Sequence, residues 1–201
     1  MPASRIILAT ALGGVTFFLW GTISHTVIPF SDNALLGFAN EEMVEQVIAA
    51  NAPQSGVYFM PYMPQKKEGM TEEQFEIERQ KADKKMQQGT FILASIRLGG
   101  MGSMGTYLLL QLVTDLLAAF FVALVLARTA GTVMHRAVTA VIIGLAGYAA
   151  ISLPQWNWYA FSAAFTLAEL FNIVIGFLLA GLVIGKVLEA PESRPADSAA
   201  A

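Results

Sequence analysis

Apolar and polar positions alternate along this chain in blocks rather than at the short period of a soluble core. Four blocks are almost wholly apolar and long enough to cross a bilayer as helices: residues 6–28, 108–127, 137–153 and 159–184. The second reads LLLQLVTDLLAAFFVALVLA and closes on Arg128. Between the first and second blocks the pattern changes. Residues 30–105 hold ten acidic and seven basic side chains, a local net charge of −3. Such a stretch is too long for a structureless loop.

Local signals predict elements within it. Asn40 is placed to cap a helix over residues 41–50, with Met43, Val44, Val47 and Ile48 on one face. Residues 56–60 form a short β-like run ahead of Pro61. Thr71 and Gln74 have the spacing of a capping box, opening a charged helix to about Gln88 that Gly89 ends. Its acids come first and Lys81, Lys84 and Lys85 late, which suits the helix dipole. Residues 90–98 read as a second strand. Two strands joined through a helix fit a right-handed βαβ crossover, with antiparallel pairing as the alternative. The insertion is expected to rest on the membrane helices as a cap. Four glycines within residues 99–105 predict a flexible re-entry; without a Gly-Lys-Ser/Thr ending they are a poor phosphate loop.

The fold class expected is therefore membrane all-α: a four-transmembrane-helix bundle with a small extracytoplasmic α/β insertion between helices 1 and 2. Residues 1–29 form the first transmembrane helix and 30–105 the insertion. Residues 106–188 form three further transmembrane helices, and 189–201 a disordered cytoplasmic tail. The first block is longer than a signal-peptide core and is followed by no small-x-small cleavage site, so it reads as a retained helix ended by Pro29. Pro154 through Tyr159 reads as a tight aromatic turn at an interface. Arg5, Arg128, Arg136, Lys186 and Arg194 fall on one side of this topology, which places both termini in the cytoplasm by the positive-inside rule. His135 belongs to the same basic face.

Composition agrees with this class. Of 201 residues, 55% are hydrophobic and 13% charged, about half the ~25% charged fraction usual in soluble proteins. Mean hydropathy is +0.56. A net charge of −3 gives no electrostatic case for nucleic acid. With no cysteine there is neither a disulfide nor a thiolate metal site.

Polar residues inside the apolar blocks are the candidate chemistry. His25, Gln111, Asp115, Glu169 and Asn172 are expected at one level near the outer ends of their helices. Ser162, Thr166, Glu169, Asn172, Gly176 and Ala180 form a polar-to-small stripe that should face Gln111 and Asp115. Two carboxylates in a low dielectric can hold or pass a proton, and with His25 could ligate a metal. The alternative is a hydrogen-bonded network that fixes helix register. Tyr58, Phe59, Tyr62, Trp156, Trp158 and Tyr159 either line an outer groove or supply packing and an aromatic belt. No nucleophile–base arrangement, dinucleotide fingerprint or zinc signature identifies an enzyme, and no cofactor is implied.

The segment Trp20-Gly-Thr-Ile-Ser-His25, followed by Ile28-Pro29 and Gly56-Val-Tyr-Phe-x-Pro61, resembles a group of uncharacterised bacterial multi-span inner-membrane proteins. The resemblance covers the first third best and implies a bacterial inner membrane. Three function classes follow. An accessory or structural protein would use its insertion to contact a protein partner. A small proton-linked carrier would use Asp115 and Glu169, and with four spans would need to homo-oligomerise. A membrane enzyme would act on a lipid or quinone with His25 as base.

Overall fold

The computed structural model describes residues 2–28 and 34–189. Six helices and two strands lie among them. Four helices are long and apolar enough to cross a membrane: α1 (Ala3–Thr26), α4 (Met104–Leu126), α5 (Val133–Tyr159) and α6 (Ala163–Leu188). They are consistent with a multi-pass membrane protein. The insertion carries α2 (Glu41–Asn51), β1 (Gly56–Met60), α3 (Glu72–Gln88) and β2 (Ile92–Ile96). Pro29, the expected terminator of the first helix, and residues 190–201, nearly all of the expected tail, lie outside the described residues.

Local chemistry sets the helix starts, at Asn40 and Thr71 as the sequence predicts. The Asn40 side chain accepts from the Met43 N–H at 2.9 Å. Thr71 and Gln74 form the reciprocal capping box, at 3.2 Å and 3.1 Å. Thr132 and Ser162 cap α5 and α6 through the N–H groups of His135 and Phe165. Each cap satisfies a donor that the first helical turn would leave unpaired.

Three expectations change. The strands pair antiparallel, with Gly56 opposite Ile96 and Met60 opposite Ile92, so the crossover gives way to its alternative. α3 therefore returns the chain beside its own start instead of carrying it across a sheet. The aromatic turn at 154–159 is helical. Pro154 removes one backbone donor near the end of α5, but its fixed φ suits a helix and the chain continues. The reversal comes at Ala160, in the left-handed region at φ 59°, where the N–H groups of Ala160 and Phe161 both return to the Gln155 carbonyl. Finally, no insertion element packs broadly on a bundle helix. On its C-terminal side the insertion joins the bundle through the glycine segment, where Gly99, Gly100 and Gly102 take positive φ.

Within the bundle α1 lies between α4 and α6, and α5 packs against α6. Small residues make the contacts. A Cβ on Gly14 would come within 2.8 Å of the Leu116 Cα, and one on Gly181 within 2.9 Å of the Ala137 Cα. The buried core is Ala9, Ala119, Val122, Ala123, Leu126, Ala140, Ile184 and Leu188. All of these sit toward the end of the bundle opposite the insertion, called here the far end. Arg136 closes that end: it is buried and donates to the Thr129 and Gly185 carbonyls, each at 3.3 Å. Arg5 donates to the Glu189 carbonyl at 3.0 Å.

α4 touches α5 and α6 only slightly, and no residue of its first half is buried. It leans on α1 at its middle and joins the core through its last two turns. Gly14→Val would place carbon against backbone that cannot rotate away, and should destabilise the α1–α4 contact by about 1–3 kcal/mol. Gly147→Ala meets nothing within 4 Å and should leave stability unchanged or raise it by up to ~1 kcal/mol. Thermal unfolding in detergent checks both; equal effects would refute the close-approach account.

Candidate functional site

The five polar candidates of the apolar helices separate into groups. Gln111 donates to the Asp115 carboxylate one turn on along α4, at 3.0 Å. Asn172 instead joins α6 to α1: Ser24 donates its hydroxyl to the Asn172 side-chain oxygen, and the Trp20 indole N–H donates to the Asn172 carbonyl at 3.2 Å. Trp20 thus packs between helices, its ring 6.3 Å from that of Phe171. Glu169 is half-buried, and its carboxylate makes neither a hydrogen bond nor an ion pair among the described residues. His25 is exposed and its side chain has no hydrogen bond among them.

The single expected level divides in two. A Cβ built on Gly13 would meet both Ile184 and Ala119, so these residues of α1, α6 and α4 share a height. Twelve residues separate Gly13 from His25 and Ile184 from Asn172, and fifteen separate Ile184 from Glu169, which at ~1.5 Å per residue puts all three roughly 18–22 Å toward the insertion. Asp115 is four residues from Ala119, only ~6 Å along. The polar stripe of α6 also turns elsewhere than expected. A Cβ on Gly176 would meet Trp20 and Phe17 of α1, and the Thr166 carbonyl accepts from Tyr148 of α5 at 3.0 Å. With α1 interposed, that stripe does not face Gln111 and Asp115. No group of three His, Cys, Asp or Glu that could hold a metal occurs among the described residues.

What this arrangement can do chemically is hold helices in register. The Ser24–Asn172–Trp20 knot replaces unsatisfied polar groups in an apolar setting with an interhelical link, worth roughly 0.6 kcal/mol per bond and up to ~1.7. Asp115 and Gln111 satisfy one another within a helix and connect to no second acid.

A concave site does occur, in the insertion. Met60, Pro61, Tyr62 and Pro64 form one wall of a cleft of about 800 Å³, and Lys81, Lys84, Lys85 and Gln88 of α3 the other. A second cleft of about 820 Å³ adjoins it, sharing Tyr62, Pro64 and Glu78 and adding Lys66, Lys67 and Met70. Lys66 pairs with Glu72, and Lys81 with Glu78. Phe59 stacks edge-on against Phe91 nearby at 5.1 Å, so of the outer aromatics Tyr62 lines the groove while Phe59 packs. Sequence reasoning read the α3 lysines as complements of the helix dipole. Lys66 and Lys67, four and five residues past Tyr62, were the available sign that cations also gather off the helix.

Glu78 marks the chemistry of this groove. Its carboxyl is held below its ordinary range, first by the hydrogen bond from Lys81 at 2.8 Å and next by the charge of Lys81. A depressed folded value means the pairing is present above the unfolded value and is lost as pH falls through the folded one. Lys81→Ala should therefore raise the Glu78 titration midpoint seen by carboxyl-carbon NMR; an unmoved midpoint would contradict the pairing.

With both the divided bundle residues and this groove in view, the chain matches no family model, no curated protein and no solved structure.

Proposed function

We propose that this protein is an accessory subunit of a bacterial inner-membrane assembly, in which four spans anchor an extracytoplasmic insertion that docks on a protein partner. The observation that carries the reading is how little the insertion buries. Across residues 34–103 only Ala52, Pro61 and Ala82 are buried. Leu36 is 91% exposed, Val57 71%, Tyr62 68% and Phe38 67%. A segment of this size with no core of its own gains stability by covering that surface against something else. A two-stranded sheet is likewise marginal alone.

Other features support the setting. Arg5, Arg128, Arg136 and Lys186 belong to the far end, which favours a cytoplasmic far end and an insertion outside. The Trp20–His25 resemblance favours a bacterial inner membrane. The ~16 Å offset between Asp115 and Glu169 along the bundle weighs against a carrier that passes a proton between them. An exposed His25 whose side chain has no hydrogen bond among the described residues weighs against the lipid- or quinone-directed enzyme.

Native mass spectrometry of the tagged protein, gently extracted from its own membranes, should yield a stoichiometric complex with a second protein. Asp115→Asn and Glu169→Gln should retain that complex. A chain that emerges alone or as a homo-oligomer holding only lipid or a small molecule would overturn the reading.

A further inference from the structure

The charges of the insertion are not spread evenly over it. Residues 34–103 contain nine acidic and seven basic side chains, a net negative segment. Yet five of the seven cations line the two adjoining clefts, while Glu78 is the only one of the nine acids to do so. Glu78 is already neutralised by Lys81. Lys67, Lys84 and Lys85 make no ion pair and no side-chain hydrogen bond among the described residues, although the charges of Lys85 and Lys67 also act on Glu78 from further off. The helix dipole accounts for cations in the last turn of α3. It does not account for Lys66 and Lys67, which precede the first turn and stand at the end where a dipole favours acids.

The shape narrows the ligand. The clefts share a wall and run along α3 from Gln74 to Gln88, a length of about 21 Å at ~1.5 Å per residue. That is room for about six residues of extended chain at ~3.3 Å each. The floor is apolar at the buried Pro61 and Ala82, and the more exposed Met60, Met70 and Ile77 line the sides above it. A concave floor of this kind flanked by ammonium groups fits a narrow chain that alternates carboxylates with apolar side chains. A flat lipid surface would not enter it.

We infer that the groove between α3 and residues 60–70 binds an extended acidic peptide segment of the partner protein. The inference rests on the accessory-subunit reading and names its docking surface. Lysines on the rim set electrostatic preference, and the floor takes every second side chain.

The test uses the full chain in phosphatidylcholine nanodiscs and a fluorescein-labelled heptapeptide alternating Glu and Leu, read by anisotropy. The acidic peptide should bind, a Lys/Leu counterpart should not, and raised salt should weaken binding. Lys84→Glu with Lys85→Glu should lower affinity about tenfold or more. Lys66→Glu with Lys67→Glu, outside the helix, should act in the same direction should the first pair disturb α3. Absence of acidic-peptide binding, or wild-type affinity in both double variants, overturns the inference. So does binding to phosphatidylglycerol vesicles without peptide binding, which would assign the lysines to lipid. The two proposals fail separately. A native complex that survives both double substitutions removes the groove and leaves the accessory reading intact; a wild-type chain without a partner removes the accessory reading whatever the peptide does.

Discussion

Close approach of helices through small residues, from the middle of the bundle to its far end, is the constraint on which the rest of the bundle depends. Gly14 lets α1 meet α4 backbone to backbone, and Gly181 does the same for α6 and α5. Between these crossings the core is built mainly from Ala9, Ala119, Ala123 and Ala140, closed by Leu126, Ile184 and Leu188. In an apolar surrounding, where hydrophobic burial gives helices little reason to associate, such proximity collects dispersion energy that larger side chains would prevent. Arg136 adds a polar closure by reaching the α4–α5 turn and the last turn of α6.

A consequence follows at the opposite end. The helices held together there are α1, α5 and α6, through Ser24, Asn172, Trp20, Tyr148 and Thr166. α4 enters from the glycine segment with its first half unburied. Arg97 stands over the Tyr107 ring at 5.7 Å and donates to the Met101 carbonyl, so the re-entry is tied to α4 and the strand rather than to the other helices. The insertion hangs from the bundle at its least packed corner.

Much of this was legible in the residues, wherever the determinant is local. Four apolar blocks mark four helices, and Asn40, Thr71 and Gln74 mark helix starts because a cap is decided within three or four residues. Gly56 to Met60 is recognisable as a strand from its own side chains. What escaped depends on contacts far apart in the chain. Strand direction is set by how α3 folds back, which no spacing encodes. Pro154 reads as a stop because the cost of its missing N–H is local, whereas the helix runs on to Tyr159 and closes through the Ala160 and Phe161 N–H groups on the Gln155 carbonyl. The candidate site divided for the same reason: the stripe through Asn172 and Gly176 was identified, but nothing in α4 or α6 alone says that α1 stands between them. Nor does any periodicity bring Lys67 and Lys84 to one groove.

The central claim is that the bundle is self-sufficient while the insertion is completed from outside. Hydrogen exchange of the protein in lipid nanodiscs, compared with the same protein in its native membranes, addresses it directly. The account predicts slow exchange in α5 and the far-end half of α6 in both settings, and fast exchange in β1, β2 and α3 in nanodiscs that becomes slow in native membranes. Insertion amides as protected in nanodiscs as those of α6 would contradict it, because the insertion would then be stable without a partner.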